Sequence, residues 1–340
     1  MKKQILGLLG ACLLFSQTMA EQPQVREDYP DSHTVVKGDT LWDISNTFLN
    51  NPWMWPEIWH VNPQIANPHL IYPGDVIRLI YLDGQPRLTV DRSNRVVKLS
   101  PQARVVEHDE AISAIPLDEI NNFLSRSRIV SAEEIEKAPH VVSGEAKRLV
   151  TGKGDRVYAR GDFDASIPVY GVYRRGEEYR DPVTKELLGV QATDIGSGKM
   201  RALEDNIATL LMTRTTEEVR PGDRLLVEES RAIDSSFFPS APSVDVNASI
   251  IAVEGGISQV GKMDVVVINR GERESMAVGN VLAIYKNGGM IKDRVVGDMV
   301  ALPDEQAGLV MIFRTFEKLS LGLVLEAERP LAVNDMVRNP

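Results

Sequence analysis

The chain has 340 residues, a formal net charge of −10 and a hydrophobic fraction of 43%. That balance excludes global disorder and supplies enough apolar residues for two or three packed domains. The 38 basic residues are outnumbered by 48 acidic ones and form no block, which argues against nucleic acid or an anionic lipid surface as the partner.

Residues 1–20 read as a secretory signal peptide. Lys2 and Lys3 give a positive start, Ile5 to Phe15 are apolar, and Thr18-Met19-Ala20 puts small residues at a cleavage site. An uncleaved anchor would need about 20 apolar residues. Leu9-Gly10-Ala11-Cys12 also looks like a lipoprotein box, but lipidation at Cys12 would leave a mature start of Leu13-Leu14-Phe15. Cleavage after Ala20 leaves no cysteine, so disulfides, thiol catalysis and thiolate metal sites all drop out. No transmembrane segment is expected in the mature chain, and its expected location is the periplasm.

Residues 21–31 read as an extended leader. His33-Thr34-Val35-Val36 alternates like a strand and stops at Gly38-Asp39. Leu41, Trp42, Ile44, Ser45 and Phe48 follow a helical period, with Asp39 or Thr40 as N-cap. Pro52 and Pro56 suit the first turns of helices, and Asn62-Pro63 must end the helix carrying Ile58, Trp59 and Val61. A loop over 67–74 and a strand over 75–81 complete the order strand, helix, helix, strand. Residues 83–93 read as a boundary rich in turn formers.

The remainder is β-rich, so the expected class is α+β. Residues 97–160 are mixed, with one helix expected at Leu117 to Leu124 and a second capped by Ser131-Ala132-Glu133-Glu134. Val169 to Tyr173 resembles Val281 to Tyr285, and Val219 to Leu225 resembles Leu331 to Val337; both pairs lie 112 positions apart. That spacing predicts a tandem repeat, with unit 1 over 161–230, a linker over 231–246 and unit 2 over 247–340. Gly196-Ser197-Gly198-Lys199 reads as a hairpin turn.

All four tryptophans, Trp42, Trp53, Trp55 and Trp59, fall in the N-terminal module. Their large area suits a small core short of apolar volume, or an exposed contact patch. His33-Thr-Val-Val-Lys-Gly-Asp-Thr-Leu-Trp-Asp-Ile-Ser45, with Asn62-Pro63 and Leu70-Ile71-Tyr-Pro-Gly-Asp-Val-Ile77, resembles the LysM domain. The resemblance covers 32–81. It implies a βααβ fold that binds N-acetylglucosamine-containing glycans, peptidoglycan or chitin, between two loops. By position those loops are Gly38, Asp39, Thr40 and Leu41, facing Asn67, Pro68, His69, Leu70 and Ile71. Asn50 to Pro56 is longer and more aromatic than the family's usual inter-helix segment.

A signal peptide, one Trp-rich LysM and a long β-rich region together resemble the secretin-associated proteins of type IV pilus systems. The C-terminal units are similar, more weakly, to the C-terminal domain of a flagellar basal-body assembly protein. These resemblances imply a periplasmic, non-catalytic protein that anchors an envelope assembly, such as an outer-membrane secretin, to the wall. Competing readings are a LysM-targeted wall hydrolase or hydrolase activator, and a solute-binding receptor. His33, His60, His69, His108 and His140 show no metal-ligand spacing, and no nucleophile elbow or phosphate-cradling loop occurs. No enzyme activity, cofactor or metal is therefore expected.

Overall fold

The computed structural model of the chain describes residues 23–59, 71–91, 127–228, 238–253 and 259–340. The expected signal peptide, Cys12, the helix at Leu117 to Leu124 and most of the expected linker lie outside the described residues. Among the described residues, no helix is long and apolar enough to cross a membrane.

The N-terminal module runs β1 (His33–Thr34), α1 (Leu41–Phe48), a 3-10 turn (Pro52–Met54), α2 (Trp55–Ile58), β2 (Val76–Leu82) and β3 (Gln85–Asp91). Thr40 starts α1. Its hydroxyl accepts the Asp43 N–H at 3.1 Å and donates to the Asp43 carboxylate at 2.6 Å, so cap and third helical residue secure each other. Leu41, Ile44 and Phe48 then lie on one face and are buried with Val35, Trp55, Ile58, Trp59, Ile71, Ile77 and Leu88.

Two boundaries differ from the sequence reading. Asp83 and Gly84, with φ of 52° and 77°, form the two-residue turn of a β2–β3 hairpin, because left-handed residues match the strand twist. The module therefore continues to Asp91 as a three-stranded sheet ordered β1-β2-β3. The leader is also stitched in: the Arg26 N–H donates to the Phe48 C=O and the Asn50 N–H to the Gln24 C=O.

The next described elements are β4 (Ser127–Val130), α3 (Ala132–Lys137), β5 (His140–Gly144), β6 (Arg156–Arg160), β7 (Val169–Arg180), β8 (Leu187–Glu204), β9 (Ile207–Thr215) and β10 (Arg224–Val227). The Ser131 hydroxyl caps α3 by accepting the Glu134 N–H at 3.0 Å. Strands β8-β7-β10-β5-β6-β9 pair in that order, and β9 returns to β8, closing a six-stranded ring. Strands β5 and β6, expected in a separate 97–160 segment, are thus part of the barrel expected to begin at 161. Gly196 and Gly198 lie inside β8 rather than in a turn. A side chain at Gly196 would meet the Arg214 C=O at 2.2 Å, so glycine serves close strand approach. The hairpin instead turns at Asp205, with φ of 51°.

The last part holds β11 (Asn247–Val253), β12 (Gln259–Val260), β13 (Val265–Ile268), β14 (Val281–Lys286), β15 (Met290–Lys292), β16 (Met299–Ala301), β17 (Glu305–Thr315), β18 (Ser320–Ala327), β19 (Leu331–Ala332) and β20 (Met336–Arg338). Strands β17-β14-β20-β11-β13-β18 close a second barrel, while β12–β19 and β15–β16 are separate two-stranded pairs. The two rings have the same strand order when β7 is matched to β14 and β10 to β20.

The modules share packing. Trp42, Trp53 and Met54 belong to one apolar cluster with Val265, Leu323 and Leu325 of the second barrel, and Tyr179 and Leu188 of the first barrel and Ile129 of the adjoining β4 join it. Around this cluster Lys262 reaches Asp43 at 3.7 Å and the Phe238 ring lies 6.0 Å from Trp55. Trp42 turns away from the Leu41–Ile44–Phe48 stripe because a helix rotates about 100° per residue.

Candidate functional site

One four-residue turn recurs through the described chain, at 36–39, 72–75, 152–155, 220–223, 261–264, 277–280 and 332–335. In each, the third residue has positive φ: Gly38, Gly74, Gly154, Gly222, Met263, Gly279 and Asn334. The fourth residue is Asp or Asn, and its side chain accepts the N–H of the first at 2.7 to 3.1 Å. Its own N–H donates back to the first residue's C=O. The third position needs a left-handed residue, as in a type II turn, which is why glycine dominates there.

Six of these turns are locked by a neighbouring segment, a strand in five of them and the residue just after β1 in the sixth. One residue of that segment accepts the third residue's N–H and donates to the fourth residue's C=O. The locking residues are Val35 for 72–75, Met212 for 152–155, Val141 for 220–223, Val324 for 261–264, Ile312 for 277–280 and Ile250 for 332–335. The turn at 36–39 has no such neighbour among the described residues. Among the described residues its Gly38 N–H and Asp39 C=O take no backbone partner, and Gly38 is exposed; they form the same donor–acceptor pair that elsewhere takes a peptide backbone.

The expected site residues divide sharply. Gly38 is exposed. The Asp39 carboxylate accepts the Val36 N–H at 3.0 Å and contacts His33 Nε2 at 2.8 Å, so it serves the turn. Thr40 is the buried helix cap, and Leu41 and Ile71 are fully buried in the module core. What this corner offers a ligand is therefore backbone from Gly38 and Asp39, with the exposed Val36 and Lys37 side chains beside it. Val36 and Lys37 were not among the expected contacts, although strand alternation from the buried Val35 would have turned Val36 outward. Asn67, Pro68, His69 and Leu70 lie outside the described residues. Tyr72 to Asp75, which follow Ile71, are tied to the residue between β1 and the turn: the Val35 N–H donates to Asp75 C=O at 2.9 Å and the Gly74 N–H to Val35 C=O at 2.8 Å.

All four tryptophans are buried. Trp55 and Trp59 fill the module's own core, whereas Trp42 and Trp53 are buried in the cluster shared with the second barrel. That seam also holds a carboxylate. Burial raises Glu326 above the ordinary carboxylate range, opposed by the Trp42 indole N–H and the Lys262 charge. Among the described residues, no group of three or more His, Cys, Asp or Glu side chains is placed to hold a metal ion.

A turn that presents a backbone donor and acceptor beside a small apolar side chain has the groups to bond an amide. Residues 33–79 match the LysM domain family. The chain is also 37% identical over 60 residues to the uncharacterized protein YqbP of Bacillus subtilis (strain 168). That similarity covers 15% of this chain and 27% of the relative. The chain carries a LysM domain, a carbohydrate-binding and non-catalytic module, at residues 33–79.

Proposed function

We propose that the protein is a non-catalytic periplasmic adaptor, exported by its N-terminal signal peptide, that fixes an envelope assembly to peptidoglycan. The observation that carries this reading is the Gly38 N–H and Asp39 C=O pair, which takes no backbone partner among the described residues, in a turn whose six described counterparts all bind a neighbouring backbone segment through those groups. An N-acetyl amide has the matching C=O and N–H, and Val36 covers its methyl. On the family resemblance, the facing ligand contacts are assigned to Asn67, Pro68, His69 and Leu70. The seating of Trp42 and Trp53 beside the second barrel supports an adaptor, since the glycan module is then not a loose tether.

The two barrels are, in this reading, copies of one unit that holds the assembly. Support comes from their common strand order and from equivalent locks, Val141 with Gly222-Asp223 and Ile250 with Asn334-Asp335. The assembly is an outer-membrane secretin of a type IV pilus system, on the resemblance of the whole arrangement.

Sedimentation with purified sacculi tests the glycan part. Wild-type protein should pellet and be displaced by N-acetylglucosamine oligomers but not by glucose oligomers. A Val36→Asp, Lys37→Asp variant should stay in the supernatant while keeping its unfolding transition. Normal pelleting of that folded variant would sink the assignment.

A further inference from the structure

The hairpin ends of the two barrels carry the same turn 112 residues apart. In the first barrel, β7 and β8 meet at Asp181 to Glu186. The Asp181 N–H donates to Glu186 C=O and the Lys185 N–H to Asp181 C=O. Asp181 Oδ1 accepts the N–H groups of Val183 and Thr184 at 2.9 and 2.8 Å. In the second barrel the Asp293 N–H donates to Asp298 C=O and the Gly297 N–H to Asp293 C=O. Asp293 Oδ1 accepts the N–H groups of Val295 and Val296 at 2.7 and 3.2 Å. The strands match as well: Arg180 pairs with Leu187, and Lys292 with Met299.

Their surroundings differ completely. The first hairpin is seated on the second barrel. Tyr179 and Leu188, each 7% exposed, lie in the shared cluster with Leu319. Asp181 Oδ2 accepts the Asn269 amide at 2.8 Å and lies 3.4 Å from Arg270, while Glu186 pairs with Arg273 at 2.9 Å and Lys318 at 2.8 Å. The residues of the second hairpin at the places of Tyr179 and Leu188 are Ile291 and Val300, and they are 53% and 45% exposed. Asp298 and the second oxygen of Asp293 meet no cation among the described residues. Met290, Val296, Met299 and Leu302 add further exposed apolar surface, and Val295 at the tip is 94% exposed.

We propose that the β15–β16 hairpin is a docking plug for a second protein, seating Ile291 and Val300 on an apolar patch rimmed by arginine and lysine. The chain itself supplies the template for that receiving surface: Asn269, Arg270, Arg273, Lys318 and Leu319, already occupied by the first hairpin. A second copy of this chain does not offer another. In the first barrel the end of β6 and the start of β9 present Arg160, Gly161 and Asn206, the Gly161 N–H donating to Asn206 C=O, and the exposed Asp162 and Asp164 follow in sequence; those carboxylates would repel Asp293 and Asp298. An unpaired apolar hairpin of this kind is a surface awaiting a partner. The proposal deepens the adaptor reading by naming its partner-facing element, but it does not depend on glycan binding.

The test places a photo-crosslinking benzoylphenylalanine at Val295 of the full chain, in cells that make it, and maps the cross-linked peptide by mass spectrometry. The expected product joins Val295 to another protein at an apolar segment flanked by arginine or lysine. Combining Ile291→Glu, Val300→Glu and Asp298→Lys should lower its yield on the order of tenfold, as loss of complementary contacts does. Asp293 is left alone because it holds the turn. Thermal unfolding and sacculus pelleting of the triple variant should be unchanged, so that loss of this contact is distinguishable from failure of the glycan reading. A cross-link to another copy, to lipid or to a segment without basic residues overturns the proposal. So does no cross-link, or one that the triple variant leaves intact.

Discussion

Val35 and Asp75 hold the two turns of the LysM domain back to back, the Val35 N–H donating to the Asp75 C=O at 2.9 Å. The buried Asp75 carboxylate also accepts the Tyr72 N–H at 3.1 Å. Asp75→Ala leaves that amide without its side-chain acceptor and should cost about 1–3 kcal/mol. Urea denaturation followed by tryptophan fluorescence measures it. Because the 36–39 turn follows directly on Val35, sacculus affinity should fall with stability; unchanged stability would mean the Asp75 side-chain bond carries no energy.

Trp53→Ala and Trp59→Ala separate two kinds of burial. Each removes a buried indole, a change that costs about 3–5 kcal/mol in a core. Trp59 lies in the module's own core, so its loss should unfold the LysM domain. Trp53 lies in the cluster shared with the second barrel, so its loss should undock the module while leaving it folded. Hydrogen exchange in β18 should then rise for Trp53→Ala, with the helix α1 still protected.

Glu326 makes the seam between these modules pH-sensitive. Its pKa is raised mainly by burial, so the folded form favours the protonated acid. The contribution is fully present below the unfolded pKa and is lost as pH rises through the higher folded value. Glu326→Gln should therefore stabilise the protein at neutral pH and remove that part of the dependence. Melting temperatures from pH 4 to pH 8 decide it, and a destabilised glutamine variant would contradict the account.

The seam between the barrels has the opposite sign. Arg273 and Lys318 hold Glu186 at about 2, and Asp181 also lies at about 2, where N–H groups of Thr184 and Val183 and the Asn269 amide outweigh burial. Stability from both groups is present above the unfolded values near 4 and is lost as pH falls toward 2. Proteolytic cleavage at Lys185 should accelerate through that window in the wild type. Asp181→Asn, Glu186→Gln should be cleaved readily at neutral pH, with little further change on acidification.

The sequence carried the LysM elements well because their signals are local. Thr40 followed by Asp43, and the spacing of Leu41, Ile44 and Phe48, specify a capped helix without any tertiary information. Asp83-Gly84 was equally local, yet turn formers mark a hairpin and a domain boundary alike until the following strand is paired. Gly196 and Gly198 misled for a different reason: glycine also permits close strand approach, which depends on Arg214 eighteen positions away. The fates of Trp42 and Trp53 were least legible, since their partners lie more than two hundred residues downstream. At the candidate site the turn was legible, whereas its unlocked state showed only by comparison with six others.

The placement of Trp42 and Trp53 also decides where mechanical tension would run. The LysM module is gripped by the second barrel, although the first follows it in sequence. A pull between a glycan at Gly38 and a partner on the β15–β16 hairpin would pass through the tryptophan seam and one barrel. The first barrel would lie beside that line, bracing it through Asp181 and Glu186 without being stretched. Under such a pull the tryptophan seam, rather than either barrel's hydrogen-bonded ring, would be the first place to yield.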